Sequence, residues 1–335
     1  MLYSLNDTKK SDAVLKGIQN DIIEQVGESA FNIGFSGGLD STALAAISAD
    51  VLKRDKVTLV HVIYGPYTYS KTLENVLTLS EKLRLSLRII NMRQVQEKVL
   101  KNGPACNRCT RKVKIAGVRK TIKDKNTLVG TGANLSDSWG DYGMKMLNGI
   151  YAPFLDIGKD EIRRFLTHYS IKEEEVKIGE SKFREGCKAK HLLKLMAVPR
   201  YHGHSVCLSN EILLDILSQT GIKPDIANVK IVGPLKKNIA LINISPLPQA
   251  GITDEIILRL KRIETVDEVI LVDAPLELKV KANPSIFRSA TARARLEAGP
   301  LGRDFADKTS IHWEESPNNK LHTFHVVDCR KKQEA

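Results

Sequence analysis

Residues Ser36-Gly37-Gly38-Leu39-Asp40-Ser41 follow a short apolar run at 30–35 and precede a helix-like stretch that begins at 42. A loop so placed, with two adjacent glycines, turns sharply and brings its backbone N–H groups close to whatever lies over it. The two serines add hydroxyl donors at the positive end of the coming helix, so the ligand that fits is an anion, and a nucleotide's phosphates answer that description. The loop has no lysine and only two glycines. That separates it from the G-x-x-x-x-G-K-[ST] phosphate loop and from the three-glycine dinucleotide fingerprint, which weakens kinase-like and dehydrogenase readings. An ordinary strand-to-helix turn would need one glycine and no paired serines.

The chain around the loop alternates strand and helix. Apolar, β-branched runs at 30–35, 57–64, 87–91 and 127–130 read as buried parallel strands, and 42–53, 70–83 and 107–123 have helical spacing between them. Repeated βα units build a doubly wound α/β sheet whose ligands sit at the carboxyl ends of the strands, where this loop lies. Past residue 225 the pattern changes. Strand-like runs at 226–232 and 239–244 are followed by a helix at 253–263, for which Thr253 is the expected N-cap. Further strands are read at 266–272, 276–280, 310–313 and 323–327, with a basic helix at 285–298. The expected division is a catalytic domain over 1–215 and a smaller C-terminal α+β domain over 225–330, of ferredoxin-like form.

The 335 residues allow more than one domain. No apolar run approaches the ~20 residues needed to span a bilayer, and the N-terminal segment MLYSLNDTKKSD lacks a signal peptide's hydrophobic core. A cytoplasmic protein with no membrane partner is expected. Its five cysteines then serve metal binding or catalysis better than disulfides. Cys106-Asn-Arg-Cys109 puts two thiols three apart at the start of an expected helix, beside Arg108 and Arg111, which favour thiolate. Such a pair serves as a redox couple, as half of a zinc site, or as two ligands of an iron–sulfur cluster. A third cysteine, Cys187, lies in Arg184-Glu-Gly-Cys187-Lys-Ala-Lys190; Cys207 reads as buried and Cys329 as inert.

SGGLDS resembles the signature of the PP-loop ATP pyrophosphatases, which cleave ATP between the α and β phosphates and adenylate an oxygen of their substrate. The segment 151–162, with Pro153, Lys159, Asp160, Glu161 and Ile162, looks like the proline and lysine-acid-isoleucine stretch that follows the last core strand there. The resemblance implies a PP-loop, HUP-like sheet, with Ser36, Gly37, Gly38, Asp40 and Ser41 around the phosphates of ATP and Mg²⁺ near Asp40. Beside that loop, a CxxC and a later single cysteine resemble the iron–sulfur-dependent tRNA 2-thiolation enzymes, the TtcA/TtuA group. This second resemblance implies a 4Fe-4S cluster held by Cys106, Cys109 and Cys187, with the fourth iron open to an exogenous sulfur. Gly132-Ala-Asn-Leu-Ser-Asp137 likewise looks like that group's GHNLDD stretch beside the nucleotide. It implies a cofactor-binding Gly132 and a catalytic Asp137, while Ala133 and Ser136 depart from the pattern. The resemblance covers about residues 28–200.

Charge points to an anionic partner. The chain carries 51 Lys+Arg against 39 Asp+Glu, a formal +12. Lys101, Arg108, Arg111, Lys112, Lys114, Arg119, Lys120, Lys123 and Lys125 crowd one stretch against Asp124 alone, and a second basic run from 182 to 200 encloses Cys187. From Arg200 onward the charge is nearly balanced, 19 basic against 17 acidic residues. The expected function is an ATP-dependent sulfurtransferase: Asp40, Lys112 and Asp137 serve adenylation and sulfur transfer, tRNA is the acceptor, and a separate sulfur donor and a homodimer are among the expectations. The alternatives are a PP-loop amidotransferase or ligase with ammonia as nucleophile, sulfur transfer to a small molecule, and a non-catalytic RNA-binding or metal-carrier protein.

Overall fold

The computed structural model describes residues 5–100, 106–122, 127–135, 144–176, 193, 199–233, 237–297, 305–321 and 324–332. Its elements run α1 (Leu5–Val26), β1 (Phe31–Gly34), α2 (Leu39–Val51), β2 (Val57–Ile63), α3 (Ser70–Leu83), β3 (Ser86–Asn91), α4 (Arg93–Leu100), α5 (Cys106–Cys109), a π-helical segment (Thr110–Ile115) and α6 (Ala116–Arg119). They continue with β4 (Leu128–Gly130), β5 (Met146–Leu147), β6 (Ile150–Tyr151), α7 (Lys159–His168), α8 (Glu173–Val176), α9 (Pro199–Gln219), β7 (Ile226–Val232), β8 (Ile239–Ser245) and α10 (Ala250–Lys261). The last elements are β9 (Glu268–Leu271), β10 (Leu276–Ala282), α11 (Pro284–Phe287), α12 (Ala290–Glu297), β11 (Thr309–Glu315) and β12 (His325–Lys331). Among the described residues no helix is long and apolar enough to cross a membrane.

Two compact units emerge, neither continuous in sequence: Met1–Ile63 with Ser70–Met92 and Thr110–Gly186, and Tyr64–Tyr69 with Arg93–Cys109 and Cys187–Ala335. The helix α9 falls in the second unit. The first unit holds a six-stranded sheet in the order β3-β2-β1-β4-β6-β5, parallel except for β5, which hairpins back on β6. The expected doubly wound α/β sheet is present. Because β2 and β3 extend to one side of β1 and β4 and β6 to the other, the order reverses between β1 and β4. Ligands of open α/β sheets bind at such reversals, beyond the carboxyl ends of the strands.

Burial follows from this topology. Phe31, Ile33, Val57 and Leu59 of the two inner strands are fully enclosed, and α2 buries nearly its whole length, from Leu39 through Ser48, Asp40 excepted. The small residues Ala43, Ala45 and Ala46 let α2 pack closely among the neighbouring helices. Burying large side chains such as Phe31, Leu44 and Ile47 stabilises by roughly 1.5–3 kcal/mol each, which fixes where the first turn of α2 stands.

Three local expectations are corrected. The helix read from Thr42 begins at Leu39, because Gly38 (φ −85°, ψ 171°) takes the N-cap position. The helix read over 107–123 starts at Cys106, widens into a π-helical segment and ends with α6, where Thr121 Oγ1 donates to Val118 O at 2.6 Å. The N-cap of α10 is Gln249 rather than Thr253, whose hydroxyl turns back toward Pro248 O and Gln249 O.

In the second unit a ferredoxin-like arrangement would put four antiparallel strands in one sheet. The described strands instead form two three-stranded mixed sheets, β7-β8-β9 and β11-β10-β12. Val232, Ile239, Leu241, Leu278, Val280 and Val326 close a core there. Asn210 of α9 is locked to β7: its Nδ2 donates to Val229 O at 2.8 Å and its Oδ1 accepts from Val229 N at 2.9 Å.

Candidate functional site

The loop after β1 is held by its own side chains. Ser36 N donates to Ser41 Oγ (3.3 Å), Gly38 N donates to Ser36 Oγ (3.3 Å), and Ser41 Oγ donates to Gly38 O (3.2 Å). The two hydroxyl oxygens lie 3.1 Å apart. With Ser41's proton on Gly38 O, the proton of the exposed Ser36 hydroxyl has Ser41 Oγ as its internal acceptor and can be redirected to a phosphate oxygen. Gly37 adopts φ +73°, a left-handed conformation that disfavours any other residue, and a Cβ there would come within 3.1 Å of both Asn75 and Val76.

Above the loop, the first-turn N–H groups of α2 have no intrahelical acceptor, and the helix dipole favours negative charge at this end by about 0.3–1 kcal/mol. Asp40 stands in that same first turn. A carboxylate beside a phosphate site repels the ligand unless a cation lies between them, and carboxylate and phosphate oxygens are the donor set Mg²⁺ takes. The residues present therefore fit Mg²⁺-ATP.

The opposite wall comes from the end of β4. Gly132 lies so close to α2 that an added Cβ would be 2.8 Å from the Asp40 carbonyl carbon, 2.9 Å from Asp40 Cβ and 2.9 Å from Ser41 N. Only a residue without a side chain lets the end of β4 meet the first turn of α2 here. Asn134, fully buried, donates from Nδ2 to Gly132 O at 3.4 Å. The hydroxyls of Thr42 and Thr131 are buried without a hydrogen-bond partner among the described residues. The segment 151–162 places Pro153 in the core and Lys159, Asp160, Glu161 and Ile162 in the first turn of α7. Asp137 lies outside the described residues.

Two residues that sequence reading missed complete the loop's support. His61 on β2 is 5% exposed, and its Nδ1 sits 2.8 Å from Phe35 O, the carbonyl that leads into Ser36. A carbonyl only accepts, so Nδ1 carries the proton. Burial, with Lys114 nearby, holds the imidazole below its usual pKa and hence neutral. Asn75 on α3 donates from Nδ2 to Gly37 O at 3.2 Å. A histidine in an apolar strand and an asparagine inside a helix carry no local signal of such contacts, which span 26 and 38 residues.

The expected cluster cysteines divide differently. Cys109 is buried, and its thiol donates to Gln96 Oε1 at 3.0 Å. Cys106 opens α5 at backbone level, and Cys187 lies outside the described residues. Among the described residues no three His, Cys, Asp or Glu side chains gather to hold a metal ion. Lys112 is exposed on the π-helical segment, with Arg111, Lys114, Arg119 and Lys120 exposed along the same stretch. Cys207 is buried in α9, and Cys329 is half-buried with its thiol pushed up to about 12 by burial and by Asp328.

Residues 12–131 match the family described as NAD synthase. A curated NH(3)-dependent NAD(+) synthetase from Pyrococcus horikoshii is 25% identical over 169 residues, 47% of this chain and 63% of that protein. The chain thus spans under two thirds of the length of the curated relative it matches. A solved NH3-dependent NAD synthetase from Campylobacter jejuni, in complex with the nitrate ion, shares 21% identity over 51% of this chain and 76% of its own, with a TM-score of 0.40. The family match takes in β1, the phosphate loop, α2 and β4. With the loop it supports a PP-loop ATP pyrophosphatase. The resemblance to the tRNA 2-thiolation enzymes, drawn from cysteine spacing, is not carried by these matches.

Proposed function

We propose that this chain is an AMP-forming, ATP-dependent ligase that adenylates a carboxylate and passes the activated acyl group to ammonia. The observation that carries the reading is the loop itself: the paired serines, the left-handed Gly37 and the first turn of α2 converge on one anion site, with Asp40 at its edge and Gly132 closing it. The nitrogen nucleophile is supported by the family match over 12–131 and by the ammonia-dependent relative.

In this reading the backbone and Ser36 hold the phosphates, and Asp40 holds Mg²⁺, which would offset the charge that builds on the leaving pyrophosphate. A carboxylate oxygen of the acceptor attacks the α-phosphorus; the bond to the bridging oxygen breaks and pyrophosphate leaves. Ammonia then attacks the acyl carbon, loses a proton, and AMP departs with the oxygen that had been adenylated. The relative's product, NAD, carries a carboxamide, so the first acceptor to try is the nicotinate form of that dinucleotide.

Sulfur transfer to tRNA is the second reading, favoured by Cys106 and Cys109 within one turn of α5 and by the exposed cations that follow. It shares the adenylation step and replaces ammonia by sulfide. Purified protein is incubated with ATP, Mg²⁺, ammonium and the nicotinate dinucleotide, in parallel with anaerobic iron and labile-sulfide analysis. Amide formation with stoichiometric AMP supports the proposal. Four irons per chain, with thiolated tRNA and no amide, would replace it by the sulfur reading.

A further inference from the structure

We propose that His61 and Asn75 are positioning residues for the phosphate loop, each fixing a loop carbonyl so that the N–H across the same peptide stays on a loop hydroxyl and the loop keeps its phosphate-binding shape. The inference rests on the nucleotide reading above and adds two residues that lie outside the SGGLDS motif.

A trans peptide is planar, so its C=O and N–H point in opposite directions and holding one end orients the other. His61 Nδ1–H holds Phe35 O at 2.8 Å; across that peptide, Ser36 N–H points to Ser41 Oγ at 3.3 Å. Asn75 Nδ2–H holds Gly37 O at 3.2 Å; across that peptide, Gly38 N–H points to Ser36 Oγ at 3.3 Å. The two clamps thus start two parallel relays, from β2 and from α3, that end on the two loop hydroxyls. They also turn two carbonyl oxygens away from the anion, which those oxygens would repel. The Gly37–Gly38 peptide most needs a clamp, because glycine flips between positive and negative φ at little cost.

Both side chains are costly choices for their positions. His61 is 5% exposed and Asn75 9%, and burying a polar group without a hydrogen bond costs about 1–3 kcal/mol in protein mutational data. His61 Nε2 has no hydrogen-bond partner among the described residues, so the bond to Phe35 is the ring's one polar anchor among them. An apolar side chain would fill either space without that cost, which makes the carbonyl contact the feature to test.

Full-length protein with His61→Phe, His61→Asn, His61→Gln or Asn75→Leu is titrated with Mg²⁺-ATP and, separately, with adenosine. Asparagine can place a donor near the position of Nδ1, whereas glutamine places it nearer Nε2. H61F and N75L are each expected to weaken ATP binding about tenfold, the loss of one net hydrogen bond with its partner left unpaired, and to leave adenosine binding within about twofold. H61N binds ATP like the unsubstituted protein and H61Q binds like H61F. Unchanged ATP affinity in H61F and N75L overturns the proposal, as does equal weakening toward ATP and adenosine, which would mean general loosening. Should H61F not fold, the comparison of H61N with H61Q decides, and equal affinities overturn the role of His61. Failure of the unsubstituted protein to bind ATP overturns the nucleotide reading, and this inference with it.

Discussion

Replacing Gly132 by alanine adds one methyl group at the most crowded point of the site. The new Cβ would stand 2.8 Å from the Asp40 carbonyl carbon and 2.9 Å from Ser41 N, and these are backbone atoms that no side-chain rotation can move aside. Either β4 or the first turn of α2 must retreat by about half an ångström, while α2 is fixed by nearly complete burial. Overpacking of this kind costs about 1–3 kcal/mol of stability. Catalytic geometry tolerates displacements of only about 0.5 Å, so AMP formation should fall by at least about tenfold even where the protein folds. Gly17→Ala is the control: Gly17 lies inside α1 with nothing within 4 Å of its added Cβ, and alanine there should raise stability by about 1 kcal/mol. Urea midpoints and ATP titrations on the two variants make the comparison. If Gly132→Ala matches the unsubstituted protein in both stability and ATP affinity, the packing of β4 against the loop is wrong.

Asp40→Ala and Ser36→Ala should each abolish AMP formation while shifting stability by less than about 1 kcal/mol, since neither side chain belongs to the apolar core; a native rate of pyrophosphate release by the Asp40 variant removes the assignment of the loop. Burial holds the folded-state pKa of His61 below the 6.5 of a solvated imidazole, so above that pH both states hold it neutral and just below it the unfolded chain takes the proton first. Stability should therefore decline as pH falls below about 6.5, and His61→Asn should flatten that decline; parallel urea midpoints for the two proteins at pH 7.5 and 5.5 would contradict it. Cys329, with its thiol pushed up to about 12, should resist iodoacetamide at pH 8 until denaturant is added, and rapid labelling of the native protein would show that the thiol is not enclosed as described.

The parts of the fold written locally in the sequence were the legible ones. The helix read over 70–83 coincides with α3, and the strand runs near 30, 57, 87 and 127 fall within one residue of β1 to β4 at every end, because apolar β-branched runs bounded by polar turns are short-range signals. The start of α2 was not legible. Gly38 serves as N-cap only because the strand before it and the buried helix after it fix its extended backbone, and without that context Leu39–Ser41 read as loop. The π-helical widening before α6 and the split of the C-terminal strands into two sheets depend on partners far along the chain, which no window of ten or twenty residues contains.

The site divides the same way. Ser36, Gly37, Gly38, Asp40 and Ser41 were visible as a motif, and Gly132 through resemblance, but why Gly132 must be glycine is a matter of distance to Asp40. His61 and Asn75 had no sequence signal, since their role is to reach carbonyls 26 and 38 residues away. The cysteine spacing led toward sulfur chemistry because three thiols are a specific pattern in sequence. In the structure the one cluster cysteine whose side chain is described, Cys109, is engaged with Gln96.

The position at which ATP is cleaved tests the central claim most directly. Protein supplied with ATP labelled in the γ-phosphate, Mg²⁺, ammonium and the nicotinate dinucleotide should release the label as pyrophosphate, with an equal amount of AMP. An acceptor labelled with ¹⁸O in its carboxylate should pass one labelled oxygen to that AMP. Release of the label as orthophosphate with ADP, or AMP free of ¹⁸O, would contradict adenylation at this loop.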